Sequence, residues 1–185
     1  MHRRLLLCAP ALLCAAPLQV RAQAVAATPA LPPELRAELP EARWRGTAAL
    51  RFLGLKVYEA RLWSPAPLAG DGAQQPLALE LIYARGLSGA RIAQRSVDEM
   101  RRIGPVSEAQ ASRWGAALTA LLPDVASGDR LTGLQLPERA ARFFFNGQLR
   151  GEVAEAEFVR LFFGIWLSPR TSEPALRTQL TGTAG

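Results

Sequence analysis

The chain carries one histidine and two cysteines, and all three, His2, Cys8 and Cys14, lie at its very start. Arg3 and Arg4 precede an apolar run from Leu5 to Pro17, and small residues follow at Val20 and Ala22 or at Ala22 and Ala24. This is the pattern of a secretory signal peptide, expected over residues 1–22 with cleavage after Ala22 or Ala24. The run is too short and too soon interrupted for a transmembrane helix, which needs about 20 apolar residues. Both cysteines follow Leu, so no lipoprotein box is present. The expected mature chain therefore has neither histidine nor cysteine. That excludes disulfides, a thiol nucleophile and zinc–thiolate sites. It also excludes an imidazole base, a Ser–His triad and imidazole ligation of haem or zinc. Any catalysis falls to Arg, Tyr, Ser, Thr, Asp, Glu or the single lysine, Lys56.

Strong charge of one sign is lacking too. The formal charge of +6 falls to about +3 when Arg3, Arg4 and Arg21 leave with the signal, and roughly 160 mature residues make one domain. The arginines are scattered. A nucleic-acid partner would call for a clustered basic face with aromatic platforms, so none is expected. No cofactor is expected.

What remains reads as strands and helices in blocks. Residues 23–43 are Ala- and Pro-rich and are expected to form a linker, with one helical turn at Glu34 to Leu39. Thr47 to Trp63 predicts two strands around a tight turn at Gly54. On the second strand Tyr58, Ala60 and Leu62 share one face, and Val57, Glu59, Arg61 and Trp63 the other. Pro65 to Pro76 is a loop. Leu77 to Ala84 alternates as a third strand.

The period then changes. Ser88 can cap a helix to about Ile103, stopped by Gly104-Pro105, and Ser107 starts a second helix with Trp114, Leu118, Leu121 and Leu122 on one face. Asp129 to Leu136, Ala140 to Phe145 and Gln148 to Val153 return to strand, and Asn146-Gly147 is a two-residue hairpin turn. Phe158, Leu161, Phe162, Ile165 and Trp166 follow a helical template, Pro169 ends that helix, and a short helix from Ser172 to Leu180 follows. Strands, helices, strands, helices predict an α+β fold: a largely antiparallel sheet with helices on one face.

Three stretches carry a resemblance. Gly54-Leu55-Lys56-Val57-Tyr58-Glu59-Ala60-Arg61-Leu62-Trp63 resembles the central hairpin of bacterial chalcone-isomerase-like proteins. Gly86 to Glu99 is similar to that family's helix entry. The block from Phe143 to Leu167, through Asn146-Gly147, resembles its C-terminal signature. The resemblance covers residues 44–182. It implies an open-faced β-sandwich of chalcone-isomerase type, a large antiparallel sheet covered by a helical layer over a cleft.

Function transfers less directly. In plant chalcone isomerases the helix entry reads like Leu-Thr-Gly-x-x-Tyr, with an Asn seven residues after the Tyr. Leu87-Ser88-Gly89 matches the opening, but the Tyr position is Ile92 and the Asn position is Glu99. Ile cannot donate a hydrogen bond to a developing oxyanion, and Glu repels a phenolate. Chalcone cyclisation is therefore not expected. The same fold includes plant proteins that bind fatty acids without catalysis, in which an Arg and a Tyr on the hairpin clamp the carboxylate. Arg51 and Tyr58 are the positions that match in kind, though at a shorter spacing than in those relatives, and Arg45 is the next candidate. An arginine suits bidentate carboxylate contact, and a tyrosine hydroxyl adds a donor. The expectation is an exported, periplasmic, non-enzymatic protein holding an amphipathic acid at Arg51 and Tyr58. The alternatives are an isomerase using the same two residues and an envelope module that binds a protein partner.

Overall fold

The computed structural model describes residues 28–182; the expected signal peptide and its cleavage sites lie outside them. Six strands run in chain order, each antiparallel to the next. They are β1 (Arg43–Phe52), β2 (Leu55–Ser64), β3 (Leu77–Tyr83), β4 (Arg130–Leu136), β5 (Ala140–Phe145) and β6 (Gln148–Val153). The helices are α1 (Pro33–Glu38), α2 (Gly89–Ile103), α3 (Glu108–Leu121), α4 (Ala156–Leu167) and α5 (Pro174–Thr181).

Alternation along the strands decides what each face meets. Leu62, Leu77, Leu79, Leu81 and Tyr83 enter one core with Val97 and Met100 of α2, Trp114 and Leu118 of α3, Phe158 and Leu161 of α4 and Leu176 of α5. Phe143 joins this core while Phe144 faces the other way, so β5 is buried on both faces. Helix α5 lies so close to β1 that a Cβ at Gly46 would overlap the Leu180 carbonyl oxygen. Only glycine fits that approach.

The opposite face is not open over its whole area, and here the expected linker is corrected. Leu35, Leu39 and Ala42 are buried against Trp63, Ala78, Leu134 and Phe144. Glu34 fixes the docking: its carboxylate accepts two hydrogen bonds from Arg130 Nη2, each 2.9 Å, and one from Thr132 Oγ1 at 3.0 Å. Glu80 lies beside it, buried, accepting from Trp63 Nε1 at 3.1 Å. Residues 33–42 are thus part of the fold, because four strands supply an apolar seat that a local reading of a Pro-rich segment does not reveal.

Helix starts differ in detail. Ser88 occupies the N-cap of α2 without a side-chain cap bond, and Asp124 Oδ1 instead accepts from Gly89 N at 2.9 Å. Ser107 and Gln110 form a reciprocal capping box at α3.

Candidate functional site

The sheet and the helical layer do not close completely. Between them lies a cavity of about 330 Å³. Its floor is Leu79, Leu81, Leu131 and Phe143, and its roof includes Ile92, Phe162, Ile165 and Trp166. These are the alternating face of the strands and one stripe each of α2 and α4. The exposed members of the lining, Arg91, Arg95, Ser172 and Glu173, place the mouth between α2 and the start of α5.

Two phenols sit at the polar end. Tyr58 of β2 and Tyr83 of β3 are cross-strand partners, their rings edge-on with centroids 5.8 Å apart. Trp166 Nε1 donates to the Tyr58 hydroxyl at 3.0 Å. Burial pushes the Tyr58 pKa well up; the bond from Trp166 opposes this, and the carboxylates of Glu173 and Glu99 add to it. Burial also raises Tyr83, with Tyr58 a smaller cause. Both groups are therefore neutral donors at physiological pH. Because Trp166 occupies an acceptor site of Tyr58, the phenol proton stays available to a ligand.

Helix α2 supplies the charges. Arg91, Ile92, Arg95, Ser96 and Glu99 all line the cavity, at helical spacing on one face. Glu99 is buried and paired with Arg95 (2.6 Å) and Arg102 (3.7 Å). Neither of its oxygens receives a well-directed hydrogen bond among the described residues. Arg91 has no carboxylate partner among the described residues and stands at the mouth. No group of three or more His, Cys, Asp or Glu side chains able to hold a metal ion occurs among the described residues.

Tyr58 is thus in the cavity, and Arg51 is not. Leu50, in phase with core residue Ala48 on β1 and opposite Tyr58, lines the cavity, while Arg51 takes the other face and is exposed, its Nη1 bonded to Gly54 O at 3.2 Å; the register shift beside them falls on β2, where Val57 is skipped. Arg45 is also elsewhere, with Nε and Nη2 on Ser64 and Nη2 on the Pro65 carbonyl. Ile92 and Glu99 both face the cavity. The residues the sequence reading passed over are Tyr83, Arg91, Arg95, Trp166 and Glu173. The i, i+4 pair Arg91 and Arg95, flanking the stripe that holds Ile92, was the available signal.

Residues 31–182 match the chalcone isomerase-like family. The chain belongs to that family. An uncharacterized protein of Haemophilus influenzae is 27% identical to this chalcone isomerase-like protein over 145 residues, 77% of this chain and 70% of that one. Among solved structures it is similar to a fatty-acid binding protein of Arabidopsis thaliana, with a TM-score of 0.59 and 11% identity, covering 76% of this chain and 87% of the plant chain. The shared feature is the fold: the antiparallel sheet under a helical layer.

Proposed function

We propose that this chalcone isomerase-like protein is an exported, non-catalytic carrier or sensor of an amphipathic acid of the fatty-acid type. The observation that carries the reading is the cavity itself, apolar along its length and polar at one end. Its volume of about 330 Å³ is at the lower end of ligand pockets, roughly 300–1,000 Å³. The alkyl chain lies over Leu81, Leu131 and Phe143. The carboxylate meets the free proton of Tyr58 and the guanidinium of Arg91 or Arg95, the latter exchanging Glu99 for ligand. The plant structural relative's name, a fatty-acid binding protein, agrees with that choice. Ile92 offers no donor to a developing oxyanion, which favours binding over isomerisation.

Glu99 and Glu173 at the same end favour a second reading, in which the head is neutral, an alcohol or amide accepting from Tyr58 and donating to Glu99. Native mass spectrometry of the protein purified from its own envelope fraction, with extraction of any adduct, tests both. An amphipathic acid that is lost in Arg95→Ala supports the first reading. A long-chain alcohol or amide lost in Glu99→Gln supports the second. A bare mass, unshifted after incubation with dodecanoate and dodecanol, removes both and leaves a protein partner in the envelope.

A further inference from the structure

Among the described residues, two hairpins are built on the same two-residue plan. Both turns need positive φ at both positions. At the β5–β6 turn these are Asn146 (φ 49°) and Gly147 (φ 86°), the residues that tolerate it best. At the β1–β2 turn they are Leu53 (φ 49°) and Gly54 (φ 78°). Leucine is a poor choice there, since its Cβ crowds the backbone in the left-handed region. It gains no packing in return: Leu53 is 86% exposed, and its neighbours Phe52 and Leu55 are 66% and 56% exposed. Three of the five large exposed apolar residues among the described residues are thus gathered at one tip. An apolar side chain held against backbone preference and in water points to a role outside folding.

The surroundings say what the tip meets. Arg51 folds over it, bonded to Gly54 O. Lys56 stands opposite Arg51 in the ladder, shared with Glu59. Ala84 N bonds Val57 O at 2.9 Å, which brings exposed Arg85 beside the base of the hairpin. Neither Arg51 nor Arg85 has a carboxylate partner among the described residues. Leu50 and Val57, a step below the tip, line the cavity. An apolar tip with two guanidinium groups beside it that no carboxylate neutralises, Arg51 and Arg85, matches the interface of an anionic bilayer, where the tip enters the acyl boundary and the cations meet the headgroups.

We propose that the Phe52-Leu53-Gly54-Leu55 tip is a membrane-docking element that inserts into anionic lipid surfaces and holds the cavity against them. Docking stands independently of what fills the cavity.

The test is flotation of the full mature protein with vesicles of phosphatidylethanolamine and phosphatidylglycerol, against vesicles of phosphatidylcholine alone. The protein should float with the anionic vesicles, and high salt should weaken this. Leu53→Asn is the decisive variant, because asparagine suits the turn and the fold is kept. It should lower vesicle affinity about tenfold or more. Protein that stays at the bottom with both vesicle types, or Leu53→Asn that floats like wild type, overturns the proposal. So does a tip that instead joins two copies of the chain, seen as a doubled mass abolished by Leu53→Asn. Dodecanoate titration of Leu53→Asn without vesicles reads the cavity separately, so failure of docking and failure of the ligand reading are distinguishable.

Discussion

Tyr58→Phe separates the structural work of one hydroxyl from the ligand binding proposed for it. Phenylalanine keeps the ring against Tyr83 and opens no cavity. It removes the acceptor of the 3.0 Å bond from Trp166 Nε1. Trp166 is buried, so an indole N–H left without a partner costs about 1–3 kcal/mol. Each kcal/mol lowers the melting midpoint of a domain this size by about 2–4 °C. The second loss is the donor to the proposed ligand. A hydrogen bond to a charged group contributes about 1.5–3 kcal/mol, so dodecanoate affinity should fall roughly 10- to 150-fold. Calorimetric titration of dodecanoate, with melting curves on the same samples, reads both. Arg51→Ala is the control: its side chain lies outside the cavity and affinity should not change. Tyr58→Phe that melts earlier but binds dodecanoate as wild type does would show the hydroxyl to be structural only. Arg51→Ala that loses binding would refute the placement of the head at α2.

Three further outcomes follow from the packing and the titrating groups. Leu35→Ala removes a fully buried side chain from α1 and should cost about 2–5 kcal/mol in denaturant unfolding; no loss would show that α1 is not docked. Gly46→Val should be at least as damaging, since its side chain would meet the Leu180 backbone, and an unshifted melting curve would contradict the close approach of α5. Alkaline titration has a definite sign. Unfolded tyrosine ionises near pH 10, whereas burial raises both Tyr58 and Tyr83. Above about pH 10 the native state holds more protons, so stability is level below that point and falls as pH rises beyond it, by up to about 1.4 kcal/mol per pH unit for each phenol. These are the only tyrosines in the chain. Phenolate absorbance should therefore appear with unfolding, and ionisation of a folded sample near pH 10 would contradict the burial.

Much of the fold was legible because its signals are local. Leu77, Leu79, Leu81 and Tyr83 alternate against Ala78 and Glu80, and they face opposite cores as the pattern requires. Asn146-Gly147 marks its hairpin, and Phe158 to Trp166 marks its helix. The docking of α1 was not legible, since three leucines spaced by four among prolines resemble a linker until Trp63, Ala78, Leu134 and Phe144 are assembled from four strands. The site was half legible. Tyr58 follows from strand alternation. Arg51 matches the plant relatives' arginine in kind, but Ala48 and Leu50 alternate toward the helical layer, which puts Arg51 on the opposite face. Arg91 and Arg95 are visible as a pair in the sequence, yet only the cleft beneath α2 places both in the lining of one cavity.

The central claim is a single acid with its tail in the cavity and its head at Tyr58 and α2. The most direct measurement is a crystal structure with a fatty acid brominated at its terminal carbon, the bromine located by anomalous scattering. The account predicts one bromine peak among Leu131, Phe143 and Phe162, with the carboxylate within hydrogen-bond distance of Tyr58 Oη. A bromine peak outside the cavity, or a cavity without density at saturating ligand, would contradict it.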